Sequence, residues 1–287
     1  MIEWARAALF TPGNRPERFA KGAATGADAL ILDLEDAVAT SGKDAARQAV
    51  IDHFAGDFHS GLGAGQVAGL RVNNIHTAAG LRDLTALVDT RIVPDFIVLP
   101  KVESATEVSL YCRLLQGVQS TIPLVCTIES ARGLSQAAAI SLADARVRAL
   151  AFGGADLAAD LRSSMSWDAL FLGRAQIVQA AAAAGIGLFD VPHLVLDDAQ
   201  GLRDHCVRVQ DIGFTGKLAI HPRQVEPIQS TFAPSVDEVR QAQAMVAALE
   251  RAGGDVVEYE GCMLEGPIVR AAHRALARAD RATRSTA

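Results

Sequence analysis

Short apolar runs, β-branched or Leu-rich, alternate with longer Ala-rich stretches of helical periodicity along the whole 287-residue chain, and this alternation constrains the fold more than any other feature. The runs fall at residues 7–11, 29–34, 69–73, 96–100, 124–129, 147–153, 187–191 and 216–219. Helical patterns lie between them at 43–54, 78–88, 105–115, 134–143, 167–184 and 199–212. Strands that are apolar on both faces are expected where helices cover a sheet, and helical crossovers make such strands parallel. Eight units of this kind in about 220 residues predict an α/β fold of the (β/α)8 TIM-barrel type. The rival is a doubly wound open sheet, which places a phosphate loop after its first strand, where this chain has Thr11-Pro12-Gly13. The stretch 63–68 matches a dinucleotide fingerprint in letters only. A helical pattern precedes it and a strand follows, the reverse of the order that fingerprint needs, so it reads as a surface loop.

The barrel accounts for residues 1–230. Residues 231–287 add helical patterns at 236–252 and 268–279, around Gly253-Gly254 and a short run at 256–259. They read as a C-terminal helical extension that packs on a neighbouring subunit, with residues 281–287 frayed.

Aromatic residues are only 5% of a chain that is 50% hydrophobic, so Ala, Val, Leu and Ile must build the core. A chain of this length buries roughly three quarters of its unfolded surface and needs no disulfide or zinc staple. The formal net charge of -6 argues against nucleic-acid or anionic-membrane partners. Cys112, Cys126, Cys206 and Cys262 are widely spaced, which fits reduced core thiols. The longest apolar stretch, 178–186, falls far short of the roughly 20 residues of a membrane span, so the expected compartment is the cytoplasm.

In a barrel of this kind function collects at the C-terminal ends of the strands. There the chain carries Asp33, Glu35 and Asp36 after the second run, Arg71 in the third, Lys101 and Glu103 after the fourth, Glu129 at the fifth, Asp156 after the sixth and Asp190 at the seventh. Ser104, Asp168 and Asp198 read as helix caps or first-turn residues. Converging carboxylates destabilise a fold unless a cation neutralises them, and a set without His or Cys is hard oxygen, suited to Mg²⁺ or Mn²⁺. Mg²⁺ takes one or two protein carboxylates, and Glu129 and Asp156, on adjacent strands, are the candidates. The backbone N–H groups of Gly153, Gly154 and Ala155 can form an anion nest for a substrate carboxylate. Arg71 can hold a carboxylate or stabilise an enolate oxygen, or pair with Glu35 or Asp36; the roles are compatible. Arg15, Arg18 and Lys21 share one face if a helix begins near Pro16, either as a solvated basic face or as a seat for the phosphates of a large cofactor. His193 and His221 lie at strand ends and read as structural.

The segments LFTPGNRPERFAKG (9–22), LILDLEDAV (30–38), LRVNN (70–74), VLPKVES (98–104), TIES (127–130), AFGGADLA (151–158) and FTGKLAIHPRQV (214–225) resemble, in order and spacing, the citrate lyase β-subunit-like proteins. These stand with the malyl-CoA and citramalyl-CoA lyases in the HpcH/HpaI aldolase superfamily. The resemblance implies a Mg²⁺-dependent lyase that cleaves a 3-hydroxyacyl-CoA into an acyl-CoA and a 2-oxo acid. It implies Glu129 and Asp156 as metal ligands, Arg71 as the substrate-binding arginine, and Glu35 with Asp36 as an acidic pair holding metal-bound water. Arg18 and Lys21, with Arg15 beside them, are the basic positions for CoA phosphates. Residues 261–276 resemble the family's trans-acting element, which reaches a neighbour's active site in a homotrimer; a hexamer is equally compatible. The family's catalytic Asp there is Glu265 in this chain, one methylene longer. A metal-dependent aldolase on free acids, a malyl-CoA thioesterase and the β subunit of a citrate lyase complex remain as alternatives.

Overall fold

Each apolar run is buried inward against the opposite side of the sheet and outward against helices, which is why none shows a polar alternation. In the computed structural model, which describes residues 1–251 and 257–284, the runs form β1 (Ala7–Pro12), β2 (Ala29–Asp33), β3 (Val67–Arg71), β4 (Phe96–Leu99), β5 (Leu124–Ile128), β6 (Val147–Phe152), β7 (Gly187–Asp190) and β8 (Gly216–Ala219). Neighbours pair in parallel, and β8 returns to β1, closing a barrel in sequence order. Successive strand residues enter different cores. Ala8, Ile31, Val98, Val125, Ala151 and Phe189 face the barrel interior. Leu9, Leu30, Leu32, Ile97, Leu124 and Leu188 pack outward beneath the helices.

The helices are α1 (Phe19–Ala23), α2 (Lys43–Ala55), α3 (Ala78–Thr90), α4 (Ala105–Leu114), α5 (Ala131–Ser135), α6 (Ala137–Ser141), α7 (Gly154–Asp160), α8 (Trp167–Ala184), α9 (Ala199–Asp211) and α10 (Val225–Phe232). Ser104 and Asp198 cap α4 and α9 by accepting the N–H of Glu107 and Gly201. Asp168 sits in the first turn of α8, whose cap is Ser166. The single helix expected at 134–143 is divided at Gln136 into α5 and α6, and α7 follows β6 where none was expected. Strand β3 begins at Val67, inside the 63–68 stretch, which therefore leads into a strand and presents no helix N-terminus.

Beyond Phe232 come α11 (Val236–Arg251), a hairpin of β9 (Val257–Tyr259) and β10 (Cys262–Leu264), and α12 (Gly266–Arg284). Helices α11 and α12 pack on each other and bury Ala242, Ala248 and Ala272. Gly253-Gly254, the start of the 256–259 run, the Cys262 side chain and the last residues of the tail lie outside the described residues. Cys112, Cys126 and Cys206 are free and buried. Among the described residues no helix is long and apolar enough to cross a membrane.

One rim carboxylate of the sequence is not at the rim. Asp190 is fully buried and turned outward, where Lys217 Nζ and Arg174 Nε (3.0 Å) donate to it; Lys217 Nζ also donates to the Val191 carbonyl oxygen (2.6 Å). The cause is strand parity: its neighbour Phe189 points into the barrel, so Asp190 points out. Removing one member of a buried ion network leaves an uncompensated charge. Lys217→Met is therefore expected to cost about 3 to 5 kcal/mol in a urea titration, and a loss under about 1 kcal/mol would show that Arg174 alone satisfies Asp190.

Candidate active site

The register of the barrel brings Asp33 of β2 beside Arg71 of β3, as directly paired residues. Arg71 Nε and Nη2 donate to the two carboxylate oxygens of Asp33 at 2.7 and 2.6 Å. The same oxygens accept the backbone N–H groups of Glu35 (2.9 Å) and Ala37 (3.0 Å). Four donors saturate this carboxylate, so Asp33 is a fixed anchor for the guanidinium and not a ligand in waiting. Arg71 Nη1 reaches Glu35 at 3.0 Å and Asp36 at 3.4 Å, and the guanidinium lies 4.5 Å from the centre of the Phe10 ring. The expected pairing of Arg71 with Glu35 and Asp36 is present, and Asp33 joins it. Asp33 takes the Nε–Nη2 edge and Glu35 and Asp36 crowd Nη1, which leaves the second N–H of Nη2 for a ligand.

Lys101 was recognisable as a rim residue but not as a part of the machinery. Its backbone adopts φ 52, a left-handed conformation that costs a non-glycine residue energy and is held by its surroundings. That turn aims the Lys101 N–H at Glu129 Oε1 (2.7 Å) and Nζ at Glu35 Oε1 (2.8 Å), with Asp36 at 3.8 Å. Burial works against its charge, but the hydrogen bond to Glu35 and the negative field of Glu129 outweigh this and raise the Lys101 ammonium above its ordinary range. Glu35 is raised as well, which for a carboxyl favours the neutral form. Burial, helped by the Asp36 charge, raises its carboxyl despite Arg71 and Lys101.

Glu129, at the end of β5, is 5% exposed. Burial first, then the charges of Glu35 and Asp156, push its carboxyl up to about 8 against the pull of Lys101. Oε1 is taken by Lys101, while Oε2 faces Gly153. A Cβ at position 153 would stand 2.6 Å from that oxygen, so glycine is what keeps the space open. The nest expected at 153–155 is narrower than the sequence suggests: the Gly153 N–H donates to the Ile128 carbonyl oxygen at 3.0 Å. Only Gly154 and Ala155, opening α7, keep free N–H groups.

Asp156 stands exposed in the first turn of α7 and lines the same cavity as Glu129, Arg71, Asp33 and Asp36. Five carboxylates (Asp33, Glu35, Asp36, Glu129 and Asp156) stand against three cations, Arg71, Lys101 and Lys43 behind them, so the mouth keeps an excess of negative charge that a divalent cation would offset. The donor set fits a hard cation. Among the described residues no three His, Cys, Asp or Glu side chains converge on one point.

Arg15, Arg18 and Lys21 are exposed on the segment after β1, at the same end of the barrel, and have no ion pair among the described residues. The helix there is only α1, preceded by a 3₁₀ turn at Pro16–Arg18. Glu265 is exposed just before α12, where its carbonyl oxygen accepts the N–H groups of Ile268 and Val269, and it does not line this chain's cavity. His221 Nδ1 accepts the Arg223 N–H, and His193 Nε2 lies 3.4 Å from Asp198 without a hydrogen bond among the described residues.

The pattern of the HpcH/HpaI aldolase/citrate lyase family matches residues 6–222. The chain is 34% identical over 280 residues to the (3S)-malyl-CoA thioesterase of Cereibacter sphaeroides, covering 96% of this chain and 94% of that one. It is 32% identical over 283 residues to the citrate lyase subunit beta of Leuconostoc mesenteroides subsp. cremoris, covering 94% and 92%. Its fold superposes on the CitE protein of Mycobacterium tuberculosis, solved with magnesium, acetoacetate and coenzyme A, with a TM-score of 0.79 at 33% identity over 97% of this chain and 99% of that one.

Proposed function

The chain belongs to the HpcH/HpaI aldolase/citrate lyase family, and from that premise we propose that it is a Mg²⁺-dependent carbon–carbon lyase. Its substrate is a 3-hydroxyacyl-CoA of the malyl or citramalyl type, and its products are an acyl-CoA and a 2-oxo acid. The observation that carries this reading is the free Oε2 edge of Glu129, kept open by Gly153 and facing the cavity that Asp156 and Arg71 also line. Mg²⁺, with Mn²⁺ as a substitute, would be held by Glu129 and Asp156 and would polarise the substrate's hydroxyl and carboxylate oxygens.

The chain's own groups do the rest. The substrate carboxylate meets the N–H groups of Gly154 and Ala155. A base removes the proton of the 3-hydroxyl, the bond from the carbinol carbon to the thioester α-carbon breaks, and its electron pair moves onto the thioester oxygen as an enolate. The guanidinium charge of Arg71 and its remaining Nη2 N–H, held in plane by Asp33, stabilise that charge as it forms. Returning the proton to the α-carbon completes the acyl-CoA. Glu265 of a neighbouring copy, in a homotrimer or hexamer, fits the shuttle, since it stands away from its own chain's cavity. Arg15, Arg18 and Lys21, unpaired at the same end, suit the CoA phosphates.

Mass spectrometry of products from malyl-, methylmalyl-, citramalyl- and citryl-CoA, with and without EDTA, tests the reading. Metal-dependent release of a 2-oxo acid is expected. Free CoA without carbon–carbon cleavage would make the chain a thioesterase, and no turnover would move it to free-acid aldol chemistry or a citrate lyase complex.

Metal affinity should depend on pH with a definite sign. Below about 8 the folded, metal-free protein holds a proton on Glu129 that Mg²⁺ must displace. The Mg²⁺ Kd is thus expected to fall about tenfold per pH unit between pH 6 and 7.5, then level off above 8. The same proton makes the metal-free fold lose stability as pH rises from the ordinary carboxyl range toward 8. Calorimetry in two buffers of different ionisation enthalpy counts the released proton; a pH-independent Kd would remove Glu129 from the ligand set.

A further inference from the structure

The open mouth of the barrel has two unlike sides. Its charged lining groups, Asp33, Asp36, Arg71, Glu129 and Asp156, stand on or just after β2, β3, β5 and β6. The side closed by β7, β8 and β1 presents Val191, Pro192, Leu194, Ile220 and Phe10. Leu194 and Ile220 are 56% and 42% exposed, so they bound open space and are not part of a packed core. They are also fixed in place. The buried amide of Gln224 donates from Nε2 to the His193 carbonyl oxygen at 2.6 Å, and its Oε1 accepts the Ile220 N–H at 2.9 Å. Lys217 ties the Val191 carbonyl oxygen to the same frame. Large apolar side chains held open to water on a hydrogen-bonded frame form a preorganised surface, which takes an apolar group without first being ordered. Among the described residues that line the mouth, Arg71 is the only lysine or arginine, and it stands on the charged side.

The carbinol carbon of the proposed substrate carries the hydroxyl, the carboxylate, the bond that breaks and one further substituent. The hydroxyl and carboxylate face the β5–β6 side, where Glu129, Asp156 and the N–H groups of Gly154 and Ala155 lie, and the thioester faces Arg71 on β3. A tetrahedral carbon held in this way turns its remaining substituent toward the β7–β8–β1 side. We propose that this apolar side of the mouth receives that substituent, so that the 2-oxo acid released carries a small apolar group of methyl size and not a second carboxylate. A carboxymethyl group would lose water there without gaining a partner. It would also add charge to a mouth that already keeps an excess of negative charge. Hydrogen would leave Leu194 and Ile220 uncovered, whereas a methyl group takes part of their surface from water.

This inference rests on the lyase reading of the same site. Its test is calorimetric titration of the full-length, Mg²⁺-loaded protein with pyruvate and with oxaloacetate, which differ by one carboxylate at the position in question. Pyruvate is expected to bind about tenfold tighter. Leu194→Arg places a cation on the apolar side, at an exposed position where substitution costs the fold little. It is expected to raise oxaloacetate affinity until it equals or passes that of pyruvate. Should that variant fail to fold, Ile220→Arg makes the same change from the neighbouring strand end. Oxaloacetate binding the unaltered protein as tightly as pyruvate, or tighter, overturns the assignment and leaves the lyase reading standing. So does a preference for pyruvate that survives the introduced arginine. Binding of neither acid overturns the lyase reading, and the assignment with it.

Discussion

Asp156→Ala is expected to abolish Mg²⁺-dependent turnover, with a loss of about a thousandfold or more, while the metal-free protein melts where the parent does. The two halves of this expectation come from different features of one residue. Asp156 is exposed and anchors no hydrogen bond, so its removal forfeits only a favourable charge at the first turn of α7, worth about 0.3 to 1 kcal/mol. It is also one of the two carboxylates proposed to hold the cation, whose Lewis acidity would be worth several kcal/mol in the transition state. Saturating Mg²⁺ should stabilise the parent by about 2.7 kcal/mol at a hundred times its Kd and the variant by almost nothing. Thermal melts with and without Mg²⁺, run beside steady-state kinetics, check both halves. A variant that keeps turnover within tenfold of the parent would place the metal elsewhere.

Much of the barrel and half of its mouth are legible in the sequence for the same reason. Parallel strands covered on both faces must be continuous apolar runs, so their ends are visible, and the rule that chemistry gathers at C-terminal strand ends then selects Arg71, Glu129 and Asp156. What escapes is whatever depends on a single residue of register or a single backbone rotation. Asp190 is one position out of phase with the inward set, and no local feature marks that parity. The role of Asp33 arises only when β2 and β3 align to pair it with Arg71, two residues 38 apart in sequence. Lys101 aims its N–H at Glu129 through a left-handed turn that no glycine advertises. The Gly153 N–H is lost to the anion nest because it donates to the Ile128 carbonyl oxygen of the neighbouring strand, a cross-strand bond that no local pattern marks.

Arg71→Lys should lower kcat by about a hundredfold to a thousandfold, the loss seen when one donor to a developing oxyanion is removed, with a smaller change in KM. A lysine keeps the positive charge but cannot present two parallel N–H groups to Asp33, so its charge is no longer fixed in plane against Phe10. If Arg71 served only to neutralise the acidic cluster, the retained charge would suffice and kcat would hold. Asp33→Asn separates positioning from chemistry. It leaves the guanidinium in place but removes the charge that orients it, so kcat should fall in the same direction with Arg71 itself unchanged. It should also lower stability by about 3 to 5 kcal/mol, because Arg71 then keeps only Glu35 and the half-exposed Asp36 as partners. Parallel losses of kcat in both variants, with Mg²⁺ affinity nearly unchanged, would assign the pair to enolate stabilisation. A loss confined to Mg²⁺ affinity would make it a support for the metal site instead.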